Sequence, residues 1–138
     1  MTDEDKAILM DASKKFLKEL GFDFPVKIEF TNQIEADEEL GSKPCYGHFC
    51  GLRDNISNIL LVDYLPLTET FIVLRHELGH AIDFNRGYPK FSSSVCGTHY
   101  NRIAHQYKKK YKQKTLYEAF ACFIENEELD IIKEKLSE

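Results

Sequence analysis

Apolar and polar positions repeat along this chain with two different periods. From Asp3 to Leu20, Ile8, Leu9, Ala12, Phe16, Leu17 and Leu20 fall at helical spacing over a polar far face, and Gly21 supplies a stop. The period then drops to two. Phe24, Val26, Ile28 and Phe30 share one side of "FPVKIEFT", which predicts a strand over Phe24–Thr31. Asn32 to Lys43 is acidic and reads as a short helix and a loop. Tyr46–Leu52 and Ile56–Val62 are strand-like runs joined by "RDN", and Asp54-Asn55 suits a tight hairpin turn because both residues tolerate left-handed backbone. Pro66 and Leu67 lead into a long helix over Thr68–Asn85, ended by Gly87. "GYPKFSSSVCG" reads as a loop. Tyr100–Lys112, Thr115–Asn126 and Glu127–Leu136 read as helices, with a break near Asn126. This order predicts one α+β domain spanning residues 1–138, with helices over one face of a small, mostly antiparallel sheet.

Composition narrows the function more than the fold. The 138 residues are 43% hydrophobic and 30% charged, enough apolar mass for a core. The formal net charge of -5 argues against a nucleic-acid partner. The basic run Lys108–Lys114, "KKKYKQK", lies between acidic segments and reads as a solvated helix face. No apolar run approaches the roughly 20 residues needed to span a bilayer. The start "MTDEDK" is acidic and unlike a signal peptide, so no membrane association and a cytoplasmic monomer are expected. Cys45, Cys50, Cys96 and Cys122 read as reduced thiols: Cys45 and Cys50 are too far apart for a zinc knuckle, and no second pair follows.

The chemistry is concentrated in "RHELGHAIDFN", Arg75 to Asn85. At 100° per residue, Phe71, Leu74, Leu78, Ala81 and Ile82 form the core face of the long helix. His76 and His80 lie together on another side, one turn apart, so both rings can converge on one ion. Glu77 falls beside that ion, where a base would take a proton from water. With five His in the chain, an HExxH arises by chance in roughly 2% of such chains. Two histidines and a helical glutamate point to Zn2+.

A catalytic zinc wants a third protein ligand. A further His six residues after His80 is ruled out, because Arg86 stands there and Asp83 stands where that pattern has Gly. A carboxylate from a later helix remains: Glu118, Glu125, Glu127 or Glu128. Glu118 borders the apolar stripe Leu116, Phe120, Phe123 and Ile124, where an acid wants a cation or a hydrogen-bond partner. A local reading competes, since Thr115 and Glu118 also form the capping box T-x-x-E.

"HELGHAIDFNRGY", a Ser-containing loop and "Y-x6-E-x-F-A-x-x-F" together resemble the catalytic domain of anthrax lethal factor and its relatives, including the Pro-Pro endopeptidases, which are gluzincin-type zinc metallopeptidases. The resemblance covers about Tyr46 to Ile124 and extends beyond HExxH through Ala81, Asp83, Gly87 and Tyr88. It implies a minimal zincin-like domain with His76, His80 and Glu118 as zinc ligands, Glu77 as general base and Tyr111 as oxyanion stabiliser. The family's acidic residue four positions after the ligand Glu is Cys122 here, so support for the site must come from elsewhere, with Asp83 a candidate.

The implied activity is zinc-dependent hydrolysis of a protein or peptide substrate, laid as an added strand along the sheet edge ending near Val62. Two alternatives stand beside it. One is a zinc-stapled binding or regulatory protein without catalysis, of a toxin- or phage-associated kind. The other is a metallopeptidase of the type that cleaves phage-like repressors. His48, His99 and His105 read as surface or hairpin positions.

Overall fold

The structure, a computed structural model, describes residues 1–34, 45–86 and 99–137. These form five helices and a three-stranded sheet: α1 (Asp3–Glu19), β1 (Val26–Thr31), β2 (Gly47–Arg53), β3 (Ile56–Val62), α2 (Leu67–Arg86), α3 (His99–Lys108), α4 (Leu116–Asn126) and α5 (Leu129–Ser137). The α+β class read from the sequence is the one observed. The loop reading of residues 87–97 and most of the acidic stretch 32–43 lie outside the described residues.

Local chemistry explains where the elements begin and turn. Thr2 caps α1 through its side chain, which accepts from the Asp5 N–H at 3.0 Å, and the Asp5 carboxylate accepts the Thr2 N–H in return. Leu9, Phe16 and Leu17 are buried as expected, but Ile8 is 46% exposed. The buried stripe instead takes in Ser13, whose hydroxyl is satisfied by donating to the Met10 carbonyl at 2.8 Å. Asp54 and Asn55 adopt φ of 54° and 65°, the paired left-handed geometry of a two-residue hairpin loop.

The strand order is β1-β3-β2, with β3 antiparallel to β2 and parallel to β1. The sheet is therefore mixed, where the sequence suggested mostly antiparallel. The hairpin fixes one ladder, and β1 joins the far side of β3, running the same way. This arrangement also corrects the expected peptide-binding edge. Among the described strands the one ending at Val62 is central, and β2 is an edge. The register places Ile28, Ile59 and Phe49 side by side on the inner face, and all three are buried. Lys27, Glu29, His48 and Cys50 take the outer face and are exposed.

The long helix α2 packs against β2 and β3 on one side and α4 on another. Leu74, Leu78, Ala81 and Ile82 are fully buried, the face expected for it, with Phe71 packed at the margin. α3 is shorter than the sequence suggested. It ends at Lys108, and Lys112 has φ of 53°, so the chain turns before α4. The basic run thus begins at a helix end and continues through turns, with Lys110 paired to Glu127 at 2.8 Å. None of the described helices is long and apolar enough to cross a membrane.

Candidate metal centre

Gly79, inside the HExxH segment, lets α2 and α4 meet closely. A Cβ there would lie 2.9 Å from the Ala121 Cα and 3.1 Å from the Ile124 Cβ. That approach brings the first turn of α4 over the two histidines. One Glu118 oxygen lies 3.1 Å from His76 Nε2 and the other 3.2 Å from His80 Nε2. The local capping alternative is settled in part. The Thr115 hydroxyl accepts the Glu118 N–H at 3.1 Å and is the N-cap, but the Glu118 side chain goes to the histidines. Thr115 thus fixes the turn from which Glu118 reaches.

Among the described residues, His76, His80 and Glu118 are the group that could hold a metal ion, with one ligand atom from each within 4.8 Å of the others. Ligands about 2.05 Å from a tetrahedral ion stand about 3.3 Å apart. The 3.1 and 3.2 Å carboxylate–imidazole separations are of that size, but each belongs to a different Glu118 oxygen, so the carboxylate spans the two histidines rather than presenting one atom to both. The donor set, two imidazole nitrogens and one carboxylate, also suits a divalent transition metal.

The surroundings are strongly polarised. Burial works against charge on His76, but its hydrogen bonds to Cys122, Glu118 and Glu125 outweigh it and hold its pKa up at about 12. His80, only 3% exposed, is pushed down chiefly by burial. Glu118 loses to burial but gains more from both histidines, and its carboxyl is held well below the usual range. Glu77 is 5% exposed, and one of its oxygens has no hydrogen-bond partner among the described residues. Burial raises its pKa to about 7, with Glu118 and Glu125 adding to the rise against His76. Strand β2 crosses this glutamate at Gly47, where a Cβ would lie 3.1 Å from Glu77 Cγ.

The other expected residues divide. Tyr111 is not brought to the ligand group. Its ring stacks on Tyr107 at 5.9 Å, and burial together with Glu127 raises its pKa to about 12. The Glu127 that acts on it is the C-cap of α4 and lies about 13 Å along the helix from Glu118. The cause is the early end of α3, which takes Tyr111 and Glu118 off any shared helical face. Asp83 is fully buried, and among the described residues neither of its oxygens has a hydrogen-bond partner, a histidine included. Of the remaining carboxylates, Glu127 pairs with Lys110 and Glu128 is exposed. Cys45, Cys50 and Cys122 are free thiols, and Cys96 lies outside the described residues. His48 and His105 are exposed as expected, whereas the Nε2 of His99 is buried.

Three neighbours of the site were not assigned from the sequence. Glu125 Oε1 sits 2.8 Å from His76 Nδ1, although Glu125 stood only as a possible ligand. The Tyr117 ring stacks on His80, with centroids 4.0 Å apart and planes 21° from parallel. Arg75 Nη2 donates to the carbonyls of Ile124 and Glu127 at 2.8 and 2.9 Å, tying the end of α4 to α2. One signal for Glu125 is in the chain: Glu118, Cys122 and Glu125 are spaced i, i+4, i+7 and form one stripe. Comparison with protein-family models, with curated proteins and with solved structures gives no match to this chain.

Proposed function

We propose that this protein is a zinc-dependent endopeptidase of the HExxH…E type. The observation that carries this reading is the Glu118 carboxylate spanning both histidine Nε2 atoms while a buried, incompletely bonded Glu77 lies in the same helix turn. His76, His80 and Glu118 would hold the ion. When bound, zinc supplies a Lewis acid that polarises a peptide carbonyl and acidifies water. Glu77 then takes the proton from the attacking water and delivers it to the leaving amine.

The substrate's place follows from the edge strand. In the β2–β3 ladder the Tyr46 carbonyl accepts the Val62 N–H at 3.0 Å, so alternation turns the backbone groups of Gly47 outward. An extended peptide added there would pass beside Glu77. The resemblance to lethal factor-like peptidases supports the same reading. It assigns oxyanion stabilisation to Tyr111, but that side chain's contacts with Tyr107 and Glu127 do not favour the role.

The test is zinc content and hydrolysis of a diverse peptide library by the parent, Glu118→Ala and Glu77→Gln proteins. About one zinc per parent chain, lost in Glu118→Ala, is expected. Glu77→Gln should keep the metal and lose at least about 100-fold in rate. Zinc bound equally by parent and Glu118→Ala would remove Glu118 from the ligand set. Zinc binding without any cleavage would favour a metal-stapled binding protein.

A further inference from the structure

Both nitrogens of His76 face carboxylates, and the two carboxylates come from one helix. Nε2 meets Glu118 at 3.1 Å and Nδ1 meets Glu125 at 2.8 Å. The lone-pair directions of an imidazole diverge, so one ion cannot accept from both nitrogens of the same ring. His80 decides which nitrogen belongs to the metal, because its Nε2 faces the same Glu118 carboxylate. Glu125 therefore lies on the side of His76 away from the ion.

We infer that Glu125 is a positioning residue: it holds the His76 ring by accepting the Nδ1–H and so leaves the Nε2 lone pair for the metal. A neutral imidazole has one N–H, and a strong acceptor at Nδ1 puts the proton there. The carboxylate comes from the last turn of α4, and that turn is itself fixed. Arg75, the residue before His76, donates to the carbonyls of Ile124 and Glu127, one on each side of Glu125. Its guanidinium also stacks over the Phe16 ring of α1, 4.9 Å from the centroid. The backbone that carries Glu125 is thus anchored beside the histidine it orients. The Cys122 thiol, one turn back on the same stripe, also interacts with His76.

This inference rests on the metal reading of the site, and its test separates the two. Zinc affinity is measured on the full chain by competition with a chromogenic chelator, for the parent, Glu125→Ala and Glu125→Gln. Folding is checked by circular dichroism, and the histidine N–H signals of the zinc-loaded proteins are recorded by nitrogen-15 NMR. Glu125→Ala should bind zinc about 10- to 100-fold more weakly. Glu125→Gln, whose amide oxygen still accepts from Nδ1–H, should lose less than about tenfold. The His76 Nδ1–H signal should persist in the parent and Gln proteins and be lost in Ala. Equal affinity in parent and Glu125→Ala would overturn the inference while leaving the metal site standing. Equal losses in Ala and Gln with the Nδ1–H signal intact would also overturn it, since that pattern reports a damaged helix. A parent that binds no zinc would overturn the metal reading and this inference together.

Discussion

Asp83 shows at the scale of one residue how the fold overrides intrinsic chemistry. Its side chain is fully buried with no hydrogen-bond partner among the described residues, and burial raises its pKa from 3.8 to about 8. Below about pH 4 the acid is protonated in both folded and unfolded chains and costs nothing. As pH rises toward 8 the unfolded chain ionises first, so stability falls, and the full penalty is present above pH 8. Asp83→Asn should therefore stabilise the metal-free protein by on the order of several kcal/mol at pH 8.5 and much less at pH 5. Urea unfolding at the two pH values checks this, and stability curves that run parallel for parent and variant would refute it. The histidines illustrate the same rule, since their accessibility is set by what α4 brings. The side chain of His80 is covered by Tyr117 and Glu118, which a helical wheel of α2 does not contain.

Among elements, the decisive contact is the crossing of α2 and α4. Gly79→Ala would gain helix propensity of about 1 kcal/mol, yet the added carbon meets backbone at Ala121, which cannot swing aside. A net destabilisation of about 1–3 kcal/mol is expected, with weaker zinc binding because α4 carries Glu118 outward. Thermal unfolding and zinc competition on the same sample read both effects, and an Ala protein with parental zinc affinity would show that the crossing does not set the site. Arg75 closes the other end of this contact. Arg75→Met removes both carbonyl bonds and the guanidinium over Phe16, which should cost about 1–3 kcal/mol. A urea midpoint unchanged from the parent would argue against that anchoring.

For the whole molecule, the atoms that could hold an ion come from two helices separated by α3, so an ion bound there would tie distant parts of the chain together. A ligand that binds only the folded state adds about 2.7 kcal/mol at a concentration 100 times its dissociation constant. Zinc should accordingly raise the parent's melting temperature, a chelator should reverse the rise, and Glu118→Ala should abolish it. A shift equal in parent and Glu118→Ala would place the stabilising zinc elsewhere. The mixed sheet belongs to this scale too. Because β3 is central, the edge beside Glu77 is β2, which moves the proposed peptide path from the strand ending at Val62 to Gly47–Arg53.

The sequence by itself determined what depends on neighbours in the chain. The i, i+4 spacing puts His76 and His80 on one face of α2, alternation fixes the buried side of β1, and Asp54-Asn55 turns the hairpin. These follow from helical and strand periods and from the backbone preferences of single residues. The tertiary structure alone decided which distant groups meet. Nothing local says that β1 pairs in parallel with β3, that Glu118 reaches the histidines rather than capping its own helix, or that Glu125 takes the second nitrogen of His76. Nor does the spacing of Tyr111 and Glu118 reveal that the helix between them ends at Lys108. Each of those outcomes depends on how whole elements pack, through a glycine contact at Gly79 and a guanidinium at Arg75 whose partners lie more than 40 residues away in sequence.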